Sequence, residues 1–163
     1  MTATLRPYLP TDAPVLAVLF QASIEVLAED DYSPDQRAAW AAAADEPAFA
    51  EKLAKGLTLL VGNEEGPLGF GSLENNATIS MLYVHPDYAR NGVATLIMDA
   101  LEKLAEARGT RAIKVEASDT AQPFFAARGY QPVQRNTVTL NGEWLANTTM
   151  EKALGAPAKG GAR

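Results

Sequence analysis

The spacing of apolar residues in the first third of the chain is helical. After a short predicted strand at residues 4–6, Leu16, Leu19 and Ile24 indicate an amphipathic helix that follows the N-cap residue Asp12. Ser33 and Gln36 then have the spacing of a capping box, which predicts a second helix through Trp40. A third predicted helix runs from Asp45 to the stop signal Gly56.

The middle of the chain changes to the pattern of strands. Short apolar runs predict strands at residues 57–61, 68–74 and 77–84, with a turn at 64–67 and a tight hairpin turn at Asn75-Asn76. The helical period then returns after Gly92, where apolar residues recur at helical spacing: Val93, Leu96, Ile97, Ala100, Leu101 and Leu104.

The last third predicts a strand at 112–117, a short helix at 121–128 and a hairpin at 130–151. Asn141-Gly142 is the favoured type I′ turn pair for that hairpin. The order of elements indicates an α/β fold with a mixed, partly parallel sheet flanked by helices. We expect one domain at residues 1–153 and a disordered tail at 154–163.

Composition narrows the chemistry. The 163 residues contain no cysteine and one histidine, His85, which excludes thiolate metal sites, a cysteine nucleophile and any site with two imidazoles. The formal charge is -6 and the sequence shows no basic cluster, so we expect no binding of nucleic acid. Without a signal peptide pattern or an apolar run of about 18 residues, we expect a cytoplasmic protein that does not engage a membrane.

The junction at residues 82–95 carries the clearest functional signal. A strand ends, a turn follows, and a strong helix starts at small residues beside Arg90. Free backbone N–H groups and the helix dipole favour an anion at such a point. Packing of helix against sheet explains Gly92 and Ala94 equally well at this stage. The glycine patterns for dinucleotides and nucleoside triphosphates do not fit, whereas coenzyme A remains a candidate ligand.

These residues resemble the GCN5-related N-acetyltransferases (GNAT family). The family pattern Gln/Arg-x-x-Gly-x-Gly/Ala, after a strand that ends Val-x-Pro, corresponds to residues 89–94 after 84–86. A second signature, on the following strand and helix, is matched by Ser118, Ala121, Phe125, Gly129 and Tyr130. The resemblance covers residues 4–153 and implies an acyltransferase fold with about seven strands. The stretch 32–40 and the closing hairpin look like those of a bacterial subgroup.

Two positions depart from the family pattern. Ala89 stands where Gln or Arg is usual, although Arg90 is adjacent. Phe125 stands where many members have a tyrosine that protonates the leaving thiolate, and a phenyl ring has no proton to donate. A non-catalytic acyl-CoA sensor is therefore the alternative to an enzyme. A protein-interaction module is a third interpretation, but it leaves the small residues beside Arg90 unexplained.

The resemblance implies direct acetyl transfer from acetyl-CoA, as co-substrate and without a metal, to an amine. The implied cofactor contacts are Leu82, Tyr83, Val84, Arg90, Asn91, Gly92, Val93, Ala94, Thr95, Ser118 and Phe125. The acceptor, a small molecule or a peptide, is expected near Tyr32, Gln36 and Trp40. Dimers are common in the family.

The general base and acid remain open. Alternation places Thr78 and Ser80 on the face of Leu82 and Val84, where many relatives have a Glu or His as general base, but neither hydroxyl is basic at neutral pH. Glu116 on the next predicted strand is the favoured base, with His85 as the other candidate. Tyr83 and Tyr32 are the candidates for the acid, and the sequence does not choose between them.

Overall fold

The computed structural model describes residues 3–155 as a twisted sheet with helices on both faces. The elements are β1 (Thr4–Pro7), α1 (Ala13–Leu27), α2 (Pro34–Ala41), α3 (Pro47–Lys55), β2 (Leu57–Asn63), β3 (Gly66–Glu74), β4 (Thr78–Val84), α4 (Val93–Ala107), β5 (Ala112–Ser118), α5 (Gln122–Ala127), β6 (Gln131–Leu140) and β7 (Glu143–Ala153). The seven strands lie in the order β1-β2-β3-β4-β5-β7-β6. All pairs are antiparallel except β4 with β5, so the sheet is mixed, as predicted.

Two apolar clusters cover opposite faces of the sheet. Ile97 and Leu101 of α4 pack with Phe125 of α5 on one face. Leu16 of α1 and Leu53 of α3 pack on the other. Burial of these two faces supplies the main hydrophobic stabilisation of the fold.

The predicted turns and the predicted cap form as expected. Asn75 and Asn76 have φ of 53° and 59°, and Asn141 and Gly142 have φ of 46° and 84°, as a type I′ turn requires. Ser33 Oγ accepts from the Gln36 N–H at 3.1 Å, and Gln36 Oε1 accepts from the Ser33 N–H at 2.8 Å. These local signals therefore determine where the hairpins turn and where α2 begins.

The predicted turn at residues 64–67 is too long. β3 begins at Gly66, and Pro67 lies opposite Gly62 just beyond a register shift between Val61 and Gly62. A proline is tolerated there because a ladder irregularity does not require its missing N–H.

The predicted tail falls mostly outside the described residues. Of residues 154–163, the structure describes Leu154 and Gly155. The Leu154 N–H donates to the Arg111 carbonyl at 2.7 Å, and its side chain packs against the α4 cluster.

Two ion-pair groups tie elements together. Glu102 of α4 accepts from Lys152 Nζ at 2.8 Å and from Tyr130 Oη at 2.8 Å, and it pairs with Arg128 at 3.1 Å. These bonds join α4 to β7 and to the segment after α5. At the other end of the sheet, Arg6 makes two hydrogen bonds to Asp12, at 2.8 and 2.9 Å.

Candidate active site

Strands β4 and β5 separate soon after they meet, and this opening is the centre of the candidate site. The two strands pair only at Thr78–Lys114 and Ile79–Val115. From Ser80 onward, the edge of β4 that faces β5 has no strand partner. Its backbone N–H and C=O groups are therefore available to a ligand that enters between the strands.

A β-bulge at Ser80 changes which way β4 presents its side chains. Ser72 of β3 pairs with Met81, but its neighbour Leu73 pairs with Ile79, so Ser80 is the extra residue. Ile79 consequently packs in the same cluster as Leu82 and Val84. The predicted placement of Thr78 on that face is wrong, because the bulge reverses the alternation between Ile79 and Leu82.

The N-terminus of α4 is preceded by two residues in the left-handed region. Gly92 is the N-cap with φ of 83°, and Arg90 has φ of 65°. A Cβ added at Gly92 would meet no atom within 4 Å, so close packing does not explain this glycine. Its positive φ does, because that turn directs the first backbone N–H groups of α4 outward.

The glycines that bring α4 close to the sheet are on β3 instead. A Cβ at Gly69 would lie 2.6 Å from Cγ1 of Val93, and one at Gly71 would lie 2.8 Å from Cγ2 of Ile97. Both distances are far below an ordinary contact. The packing interpretation of Gly92 is therefore wrong, and that role belongs to Gly69 and Gly71.

A cavity of about 470 Å³ extends from the N-terminus of α4 to the opening between the strands. The predicted cofactor residues that line it are Leu82, Tyr83, Val84, Arg90, Gly92, Val93, Ala94, Thr95 and Ser118. Asn91 lies in the preceding turn without lining the cavity. Phe124 lines this cavity, whereas the predicted Phe125 lines the smaller cavity beside it. Residues 23, 24 and 27 of α1 and its C-cap Ala28 form the opposite wall, which sequence reasoning missed. Their only signal was the helical spacing of α1.

A second cavity, of about 160 Å³, lies where β4 and β5 part. It is bordered by strand residues of the opening, by Tyr32 and Trp40, and by Val138, Leu140 and Leu145 of the last hairpin. Five residues line both cavities: Trp40, Leu82, Tyr83, Ser118 and Ala121. The two spaces therefore meet beside β4, and ligands in each would touch there.

Tyr83 stands at this meeting point with its hydroxyl oriented by Trp40. The indole Nε1–H of Trp40 donates to Tyr83 Oη at 3.2 Å. Because an indole N–H can only donate, the Tyr83 oxygen accepts and its own O–H remains able to donate. Burial raises the pKa of Tyr83 to about 12, so the hydroxyl keeps its proton at neutral pH.

The hydroxyl of Tyr32, the other candidate acid, already donates one hydrogen bond and accepts another. Its Oη donates to the Ala146 carbonyl at 2.6 Å and accepts from the Asp119 N–H at 2.9 Å. Burial raises its pKa as well. The local bonding therefore distinguishes the two tyrosines, which the sequence could not do.

Three side-chain hydrogen bonds hold the β6–β7 hairpin against α2 and the residues before it, and we call them the hairpin clamp. They are Tyr32 Oη to the Ala146 carbonyl at 2.6 Å, Gln36 Nε2 to the Trp144 carbonyl at 2.7 Å, and Asn141 Nδ2 to the Ala39 carbonyl at 2.8 Å. Gln36 is occupied by this bond and by its helix cap, and it does not line the second cavity.

Glu116 and Ser80 are polar side chains at the opening that make no hydrogen bond or ion pair within residues 3–155. Glu116 lines the second cavity from β5, and its side chain is solvent-accessible. Ser80 Oγ lines the same cavity, and it is a buried hydroxyl without a hydrogen-bond partner in the described part of the chain. A buried hydroxyl in that state indicates a bound water or ligand.

His85 is placed away from both cavities. It is the N-cap of the short 3-10 turn Pro86–Tyr88, where Nδ1 accepts from the Asp87 N–H at 3.1 Å. Its ring contacts Tyr88 edge to face, with 5.8 Å between the ring centres. Neither cavity has His85 in its lining.

Residues 3–155 contain no group of three or more side chains able to hold a metal ion. Over the same range, no helix is long and apolar enough to cross a membrane.

Comparison with known proteins decides the family. A family model described as an acetyltransferase (GNAT) domain matches residues 28–154. The chain belongs to the GNAT acetyltransferase family. This confirms the family and the enzyme class that the motifs at residues 84–94 and 118–130 indicated.

Two relatives match this GNAT acetyltransferase over nearly its whole length. The uncharacterised N-acetyltransferase YafP of Escherichia coli is 36% identical over 146 residues, which cover 90% of this chain and 93% of YafP. The crystal structure of a GCN5-related N-acetyltransferase (aminotransferase, class II) from Rhodopseudomonas palustris is 57% identical, with a TM-score of 0.91 and coverage of 94% and 97%.

A more distant structure has the same fold. The PaiA N-acetyltransferase from Thermoplasma acidophilum, solved with coenzyme A, is 16% identical with a TM-score of 0.77 and coverage of 94% of this chain and 99% of PaiA. The predicted seven-stranded acyltransferase fold is thereby confirmed.

Proposed function

We propose that this GNAT acetyltransferase moves an acetyl group from acetyl-CoA directly to a primary amine. The observation that carries the proposal is the meeting of two cavities at the opening between β4 and β5. One cavity starts at a helix N-terminus beside Arg90, which suits a pyrophosphate. The other leads to apolar walls and one carboxylate, which suits an amine.

The residues of the larger cavity fit coenzyme A. The backbone of Gly92, Val93 and Ala94, together with Arg90, would hold the phosphates. The unpaired edge of β4 beyond Ile79 would bind the amides of the pantetheine arm, as an added strand does. The structure of PaiA with coenzyme A supports the same ligand class on this fold.

Direct transfer requires a neutral amine nitrogen to attack the thioester carbonyl carbon. The C–N bond forms and the C–S bond breaks, the amine loses one proton, and the leaving thiolate gains one. An N–H group on the edge of β4 would stabilise the negative charge that develops on the carbonyl oxygen. The products are an N-substituted acetamide and the free thiol of coenzyme A.

Glu116 takes the amine proton in this proposal. Its carboxylate lines the acceptor cavity, whereas His85 lies outside both cavities and uses Nδ1 to accept a backbone N–H. The unpartnered hydroxyl of Ser80 lies on the same cavity and can hold a water that relays the proton. A positioned base of this kind contributes roughly 10²- to 10⁴-fold to the rate.

Tyr83 supplies a proton to the thiolate and recovers one through solvent. Its hydroxyl lies where the cavities meet, accepts from Trp40, and has a proton to donate. This assignment accounts for Phe125, since the acid comes from β4 rather than from α5.

The test is release of free thiol from acetyl-CoA in the presence of a panel of primary amines, with Glu116→Gln as the variant. We expect kcat to fall about 100-fold and one ionisation to disappear from the acidic limb of the pH–rate profile. Glu151→Gln, which removes an exposed carboxylate from β7 outside both cavities, is the matched control.

An unchanged pH profile in Glu116→Gln would remove Glu116 as the base. Binding of acetyl-CoA without thiol release for any amine would favour the non-catalytic sensor instead.

A further inference from the structure

The acceptor cavity matches a small group in size. Its volume is about 160 Å³. An engineered protein cavity of about 150 Å³ holds one benzene molecule. One ring or one short branched chain therefore fills this space, and any larger part of an acceptor would lie in solvent or in the adjoining cavity.

The lining selects for an apolar body. Val138, Leu140 and Leu145 form the hairpin wall, and Trp40 of α2 packs in the same apolar cluster. Glu116 is the one charged side chain among the residues that line the cavity. An acceptor with a single ammonium group matches this set, because one carboxylate can pair with one cation.

Two polar side chains on the hairpin side of the cavity are already engaged, whereas the free hydroxyls of Ser80 and Tyr83 lie on β4. The hydroxyl of Tyr32 makes two hydrogen bonds, and Asn147 Oδ1 accepts from Asn136 Nδ2 at 3.0 Å. A second ammonium group or a set of sugar hydroxyls would lose water there without gaining partners. Polyamines and aminoglycosides are disfavoured for this reason.

The hairpin clamp disfavours a polypeptide acceptor. Its three hydrogen bonds, of 2.6, 2.7 and 2.8 Å, hold the β6–β7 hairpin onto the α2 region beside the cavity. A lysine in a protein needs an open groove for the main chain on either side of it. Because these bonds join the hairpin directly to the α2 region, a main chain cannot pass between those two parts.

We infer that the acceptor is a small primary monoamine with an apolar body, of the arylalkyl or branched-alkyl class. This inference rests on the proposed function, because it assigns the substrate of the same site.

The experiment compares kcat/KM for five acceptors at fixed acetyl-CoA: 2-phenylethylamine, isoamylamine, spermidine, kanamycin and a lysine-containing peptide with a blocked N-terminus. We expect the two apolar monoamines to exceed the other three by at least tenfold. A higher value for spermidine, kanamycin or the peptide would overturn the inference and leave the proposed function standing. Absence of thiol release with all five, and with a wider amine panel, would overturn both.

A pair of variants on β6 tests the location. Val138→Thr keeps the shape of the side chain and places a hydroxyl in the apolar wall, whereas Val133→Thr makes the same change at an exposed position outside the cavity. We expect the KM for isoamylamine to rise three- to tenfold in Val138→Thr alone, with the KM for acetyl-CoA unchanged in both. An equal KM for isoamylamine in the two variants would show that the amine does not contact this wall.

Discussion

Gly69 and Gly71 provide a matched pair of perturbations, because both lie under α4 but under different parts of it. Gly69 faces Val93, the first residue of the helix, and Gly71 faces Ile97, one turn later. We expect alanine at either position to destabilise the fold. We expect alanine at Gly69 to weaken binding of coenzyme A more than alanine at Gly71 does.

The magnitudes follow from the contacts. A Cβ at Gly69 would lie 2.6 Å from Cγ1 of Val93 and 3.1 Å from the Tyr83 carbonyl oxygen, so Val93 must move by roughly 1 Å to restore an ordinary contact. Overpacking of this size costs about 1–3 kcal/mol of unfolding free energy, which lowers the Tm by about 2–12 °C in a domain of this size.

The same movement reaches the phosphate-binding turn. A displacement of about 1 Å takes a backbone N–H beyond hydrogen-bonding distance of a bound oxygen. One lost hydrogen bond to a charged group is worth about 1.5–3 kcal/mol, which raises the Kd for coenzyme A by roughly 10- to 150-fold. At Gly71 the added Cβ meets side-chain atoms of Ile97, Leu82 and Leu101. Leu82 lines the larger cavity but lies outside the phosphate-binding turn, so we expect a smaller rise in Kd for coenzyme A at this position.

Calorimetric titration with coenzyme A and thermal unfolding of both variants check the prediction. If Gly69→Ala loses stability but binds coenzyme A as tightly as Gly71→Ala, the phosphates are not held by the start of α4. If neither variant is destabilised, the distances to Val93 and Ile97 do not limit the packing of helix on sheet.

Three further predictions concern single side chains. Tyr83→Phe should lower kcat about 100-fold. Because burial raises the pKa of Tyr83 to about 12, the wild-type pH–rate profile should show no titration of this hydroxyl from pH 7 to 10. A titration in that range would contradict the assignment of Tyr83 as the acid. Glu102→Gln leaves Lys152 without its 2.8 Å partner and should cost about 3 kcal/mol in a urea titration, whereas an unchanged midpoint would show that the buried network adds no stability. Arg6 lowers the pKa of Asp12 below its ordinary value of 3.8, so this pair stabilises the fold above about pH 4 and the contribution is lost as the pH falls. In Asp12→Asn, the free energy of unfolding should therefore fall less between pH 5 and 2 than in the wild type. Parallel plots of unfolding free energy against pH for the two proteins would refute this.

Local signals in the sequence were enough to predict the helices, the strands and the junction at Gly92. Asn75-Asn76 and Asn141-Gly142 mark the two hairpin turns because few other residues tolerate positive φ, and Ser33 marks the start of α2 by its cap. The junction around Gly92 could be predicted for the same reason, since its chemistry depends on neighbours in the chain.

The rest of the site depends on contacts between distant residues. The bulge at Ser80 is defined by its pairing with β3 and leaves no trace in the alternation of β4 itself. The bond between Trp40 and Tyr83 joins residues 43 positions apart, and the bond from Tyr32 to Ala146 spans 114. No periodicity encodes such separations, so the sequence could not choose between the two tyrosines.

All three bonds of the hairpin clamp end on main-chain carbonyls, those of Ala39, Trp144 and Ala146. Every amino acid provides that carbonyl, so the side chains at these three positions can change while the closure persists. Of the three, Ala146 lines the acceptor cavity, whereas Ala39 and Trp144 line neither cavity. Natural variation at position 146 can therefore alter the cavity wall while the hydrogen bond that holds the hairpin is retained.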